Sequence, residues 1–155
     1  MKIQSKEPPR SRIFKSDWWS IELPPGWSCA EQNESISFVS GAGGGVLQVS
    51  TVRKPDGDVS RADVMEFAQA AISECAESME IDSENHFGLS CSSEKAAMFW
   101  AEWWLACGSI LVYITYNAKP ETRSDKFTEA RRIVDSLRIT GVVSSSEQGL
   151  GRITR

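Results

Sequence analysis

The sequence predicts an α+β fold: a three-layer α/β/α sandwich, with a central, mainly antiparallel sheet of about six strands and two main helices. Three observations lead there. From Ile13 to Arg53, apolar and polar residues alternate in short runs separated by Pro- and Gly-rich turns. The segments after Ser60 and Pro120 instead carry apolar residues at helical spacing. Finally, residues 98–104 read MFWAEWW and hold three of the chain's six tryptophans.

The elements follow in order. Residues 1–11, with Pro8-Pro9 and several charges, are expected to be a flexible lead-in. Trp19, Ile21 and Leu23 alternate with Ser20 and Glu22 as in a half-buried strand, which Pro24-Pro25-Gly26 ends before Trp27. Residues 35–39 form a short strand, and Gly41 to Gly45 turn the chain into a longer one over 46–53. After a turn at 55–58, Ser60 caps a helix over 61–78, with Asp63 completing a shortened capping box. Val64, Phe67, Ala68, Ala71, Ile72, Cys75 and Met79 make its apolar stripe, and Glu66, Glu74 and Glu77 its solvated side. Strands are expected at 81–91, 95–106 and 110–117, the last two joined by a tight turn at Cys107-Gly108-Ser109. A second helix starts at Pro120, buries Phe127, Ala130, Ile133, Val134 and Leu137, and ends near Arg138. The domain is thus 12–139, and residues 140–155, with three serines in a row, read as a flexible tail.

The tryptophan-rich strand decides the layering. Met98, Trp100, Glu102 and Trp104 lie on one face, and Phe99, Ala101, Trp103 and Leu105 on the other. A strand covered on one side shows a polar outer face; this one is bulky on both, so both need cover. Its three tryptophans together carry about 450–750 Å², which rivals the roughly 300–600 Å² of the largest patch on a typical monomer. Glu102, between Trp100 and Trp104, marks where one face meets solvent.

Seventeen basic against 21 acidic residues give a net charge of -4, which draws the chain neither to nucleic acid nor to anionic lipid. No run approaches the roughly 18 apolar residues of a membrane span. The opening MKIQSKEPPRSRIF holds no signal-peptide core, so a cytoplasmic location is expected. The four cysteines, Cys29, Cys75, Cys91 and Cys107, lack zinc-site spacing and are expected to be separate thiols.

The segments WWSIELPPGW at 18–27, GGGVLQVSTVRKPDGDVS at 43–60, WWLACGSILVYITYNA at 103–118 and FTEARRIVDSLRI at 127–139 together resemble the Mog/PsbP-like fold group. That group includes a Ran-binding nuclear-transport factor, a photosystem II extrinsic subunit and many bacterial proteins. The resemblance spans 12–139 and implies a three-layer sandwich. It also implies a binding or assembly role, since some bacterial members act as chaperones for type VI secretion effectors.

The chemistry-bearing residues do not converge. Gly41 to Gly45 lacks the Gly-Lys-Ser/Thr ending of a phosphate loop and precedes a strand. His86, with Asp82 or Glu84 as a conceivable dyad partner, reads as a surface histidine, and no nucleophile sits in a recognisable motif. The acidic series Glu74, Glu77, Glu80, Asp82 and Glu84 lacks calcium-loop spacing and reads as a solvated face. No catalytic residue, metal ligand or cofactor is expected, and the chain is not expected to be an enzyme.

The expected function is a non-catalytic module, bacterial and cytoplasmic, that binds another protein as a monomer or homodimer. A chaperone or adaptor for a secreted effector is its concrete form. The alternatives are a toxin-neutralising immunity-type protein and a carrier of a small apolar ligand. The expected contact surface is Trp100, Glu102 and Trp104, with Trp18 and Trp27 as neighbours.

Overall fold

The computed structural model describes residues 10–31, 35–120 and 123–140. Most of the expected lead-in 1–11 and tail 140–155 lies outside them. At the inner ends of these segments, Ser11 Oγ donates to Glu22 and the Thr140 amide to the Trp18 carbonyl, both at 2.7 Å.

Strand patterning extends further than expected. The described residues form β1 (Arg12–Lys15), β2 (Trp19–Leu23), β3 (Trp27–Glu31), β4 (Ile36–Ser40), β5 (Val46–Arg53), β6 (Glu77–Asp82), β7 (Phe87–Lys95), β8 (Met98–Cys107), β9 (Ile110–Ala118) and β10 (Arg138–Ile139). Helices α1 (Arg61–Ile72) and α2 (Arg123–Asp135) complete them. In place of one sheet of about six strands there are two. One is seven-stranded, ordered β3-β4-β5-β9-β8-β7-β6; the other is three-stranded, ordered β1-β2-β10. Every pairing is antiparallel.

The differences from expectation have local causes. Helix α1 begins as expected: Ser60 Oγ accepts from the Asp63 amide at 3.0 Å, and Asp63 Oδ2 accepts from the Ser60 amide at 2.9 Å. It stops at Ile72 and not at 78, and β6 takes over at Glu77. Cys75 and Met79 fit the helical stripe because residues four apart share a face in an extended chain as well as in a helix. Phe67, placed on the stripe, is exposed; Val64 and Ala68 are the buried residues.

The single strand expected at 81–91 is two strands around a turn. There the Ser83 amide donates to the His86 carbonyl at 2.9 Å, and the His86 amide to Ser83 Oγ at 3.3 Å. The next turn, between β7 and β8, carries positive φ at Ala96 (52°) and Ala97 (63°). Two alanines give no sequence mark of a hairpin, which ordinarily places Asn or Gly there. Helix α2 ends before Arg138, because Arg138 and Ile139 pair with Ser20 and Trp19. Asn85 fastens that short strand from the other side, accepting from the Ile139 amide at 2.6 Å.

Two cores result. Trp19, Ile21, Leu23, Trp27, Phe38, Leu47, Val49, Phe99, Trp103, Ile114 and Tyr116 pack with Ala130, Ile133 and Val134 of α2. Val59, Val64 and Ala68 pack with Cys91, Trp104, Ala106 and Leu111. Successive β8 residues therefore belong to different cores, with Trp103 only 5% and Trp104 only 4% exposed. Cys75 and Cys91 are joined as a disulfide with their Cα atoms 5.9 Å apart, contrary to the separate thiols expected. The reason is tertiary: the chain just past α1 lies on the face of β7 that Cys91 presents, which sequence spacing does not reveal.

Close strand approach imposes glycine at positions 45 and 88. A Cβ at Gly88 would run into the Trp104 carbonyl on the neighbouring strand. Gly88→Ala should therefore cost about 1–3 kcal/mol, as overpacking does, read from the midpoint of chemical denaturation.

Candidate functional site

The five residues expected to form a contact surface are not brought together. Trp27 is 1% exposed, on the α2 side of the seven-stranded sheet, with its indole Nε1 donating to Glu129 Oε1 at 2.7 Å. Trp18 packs, half-buried, against the same core, with the Arg53 guanidinium 5.9 Å from its ring. Trp104 lies on the opposite face under α1, stacked on Tyr113 at 5.6 Å. Trp27 and Trp104 are therefore core residues. Only Trp100 and Glu102 reach solvent together, each half-buried.

Around Trp100 the sheet face is polar. Register places Trp100 beside Asn117, and Glu102 in a row with Thr115, Gln48 and Ser37. Glu102 is itself engaged, since Tyr113 Oη donates to it at 2.8 Å. Burial first, and that hydrogen bond second, push the Tyr113 phenol above its usual range. One half-exposed indole among short polar side chains makes a weak anchor.

The other side of the sheet carries a groove of about 700 Å³ that sequence reasoning missed. Its walls are Met79 and Ile81 of β6, with Trp103 of β8 and Phe127 of α2 opposite. Its floor is β7, which presents Ser90 and Ser92 to this face, in register with Trp103 and Ala101. Those small residues make the depression. Helix α2 packs on β2 and β9 and stops short of β6, and Phe127 fills its inner rim against Phe99 (4.9 Å) and Tyr116 (5.9 Å). Arg131 and Asp135 stand on the helix rim, the guanidinium 5.9 Å over the Phe127 ring. Met79, 54% exposed, forms the outer lip. The signal was present as the alternation of the small Ser90 and Ser92 with Leu89 and Cys91, but reading Met79 into a helix hid the opposite wall.

Chemistry is sparse. His86 is buried, contrary to its expected surface position, because the turn at 83–86 folds it inward; its Nδ1 lies 3.3 Å from Asn85 Oδ1. Neither Asp82 nor Glu84 bonds to it, and Asp135 and Arg138 are the charges it feels. Among the described residues, no group of three or more His, Cys, Asp or Glu side chains is placed to hold a metal ion. No described helix is long and apolar enough to cross a membrane.

No protein-family model matches the sequence, and no curated protein matches it. The fold is similar to that of a Bacteroides thetaiotaomicron protein solved at 1.50 Å: the TM-score is 0.61 at 13% identity over 90% of this chain, which spans only 50% of that protein. It is also similar to cyanobacterial PsbP from Synechocystis in solution, with a TM-score of 0.48 and 9% identity over 90% of this chain and 98% of that one. The Bacteroides likeness is one of fold alone, and the second is too loose to argue from. Neither likeness supports the Mog part of the expected resemblance.

Burial, with Arg138 adding to it, holds the His86 imidazole below its usual 6.5, while Asp135 opposes. The unfolded chain takes up that proton more readily than the folded one. The stability contributed by neutral His86 is therefore fully present above pH 6.5 and is lost as pH falls below it. Denaturation midpoints between pH 7 and about 4.5 should fall less steeply for His86→Gln than for the parent protein.

Proposed function

We propose that this chain is a non-catalytic module that docks another protein, its concrete form being a chaperone or adaptor for a bacterial secreted effector. The observation that carries this reading is the groove of about 700 Å³ beside β6, apolar on both walls, open along its length and rimmed by Arg131, Asp135 and Glu77. Apolar centre and charged rim are the usual build of a protein-docking surface. An immunity-type protein that neutralises a toxin would use the same surface. A carrier of a small apolar ligand would need an enclosed pocket, which an open groove does not supply.

Two finer points belong to this reading. The α/β/α layering is retained, amended so that the small sheet shares the layer of α2. The Cys75–Cys91 disulfide favours an oxidising compartment over the expected cytoplasm, because cytosolic thiols are kept reduced.

Capture of partners from the native cell on immobilised protein tests the reading. Met79→Glu places a charge on the exposed lip without touching the core, and recovery should fall at least about tenfold, as when a docking anchor is lost. Trp100→Ala should leave recovery unchanged. Undiminished recovery on folded Met79→Glu, or loss on Trp100→Ala alone, contradicts docking at the groove.

A further inference from the structure

We propose that the groove's occupant is an extended peptide with alternating apolar and basic residues, added to β6 as an eighth strand of the sheet. The inference rests on the docking reading above and specifies the partner's chemistry.

Strand β6 is the last strand of the seven-stranded sheet. Its register with β7 runs unbroken from Glu77 opposite Ser92 to Asp82 opposite Phe87, with no bulge and no proline. An edge of that kind presents a straight row of outward N–H and C=O groups, the template for strand addition. Five of its six residues are exposed.

The two faces of β6 then dictate the side chains of the incoming strand. Glu77, Met79 and Ile81 point to the face that bears Trp103 and Phe127, and Ser78, Glu80 and Asp82 to the face that bears α1. Every second side chain of an added strand would therefore overhang the groove and its Met79 lip. The intervening ones would overhang Glu80 and Asp82, with Glu84 just beyond. Apolar residues suit the first set, and Lys or Arg the second.

Charge complementarity singles out the basic partner. Glu74 has Lys95 at 3.2 Å and Asp82 has Arg61 at 3.5 Å. Among the described residues, no cation lies within ion-pair distance of Glu77, Glu80 or Glu84. The edge thus carries uncompensated negative charge. A second copy of this chain pairing β6 to β6 would set Glu and Asp against Glu and Asp, which cross-strand pairing disfavours. An acidic peptide fails for the same reason.

The test uses the full chain and a synthetic peptide of about eight alternating valine and lysine residues, enough to cover one strand. Amide hydrogen exchange and backbone chemical shifts report where it binds. The proposal predicts new protection of β6 amides. It predicts binding weakened at least about tenfold for the valine–glutamate counterpart and for the Glu80→Lys/Asp82→Lys variant. N-methylation of the ligand requires no protein variant. Methylating the amides of one residue set, all valines or all lysines, should abolish binding, while methylating the other should leave it intact, because only one set faces β6. Protection away from β6, equal binding of the two methylated forms, or equal binding of the acidic peptide overturns the proposal. If Met79→Glu still impairs capture of the native partner while the peptide fails, strand addition falls and groove docking stands. If Met79→Glu has no effect on capture, the docking reading itself falls.

Discussion

The fold depends on a strand that must be hidden on both sides. Trp103 and Trp104 are adjacent on β8, so they point to opposite faces, and both are buried. Each brings about 150–250 Å² of largely apolar surface, worth several kcal/mol at about 25 cal/mol per Å². Neither can be left in water without losing much of a domain's net stability. Helix α1 covers the Trp104 face, while α2 and the small sheet meet on the Trp103 side. Flanking strands follow suit: Tyr113 and Ile114 on β9 divide between the same two cores.

Cover is unequal, and what a partner could use lies where it runs out. On the Trp104 face, α1 reaches β7 and β8 but leaves the polar row of Glu102, Thr115 and Gln48 open. On the Trp103 face, α2 and the small sheet leave the outer strands β6 and β7 uncovered, and Ser90 and Ser92 deepen that gap into the groove. One constraint therefore yields a shallow polar face on one side and an apolar groove beside a free edge on the other.

The parts of the fold legible in the sequence are those whose signal is local. The alternation of β2, the apolar runs of β5, β8 and β9, the Ser60–Asp63 cap and the buried stripe of α2 could all be read from period and chemistry. The two faces of β8 were legible because bulk on adjacent residues cannot share a side. What could not be read depends on tertiary context. A hairpin built on Ala96-Ala97 carries no Gly or Asn, and a strand of two residues, β10, exists only because β2 and Asn85 hold it. The stretch through Cys75 and Met79 satisfied helical spacing as well as strand spacing, and only the neighbouring β7 decided between them. The residues of the expected contact surface separate for a related reason: tryptophan is as useful to a core as to an interface, and Trp27 and Trp104 went to the core.

Native-state hydrogen exchange with residue resolution tests the central claim most directly. If β8 is the strand on which both cores depend, its amides and those of β9 should exchange only through global unfolding, with the full free energy of the protein. Those of β6, paired on one side alone, should exchange through local opening at distinctly lower free energy. Amides of β6 as slow as those of β8, or β8 amides opening below the global free energy, would contradict the account.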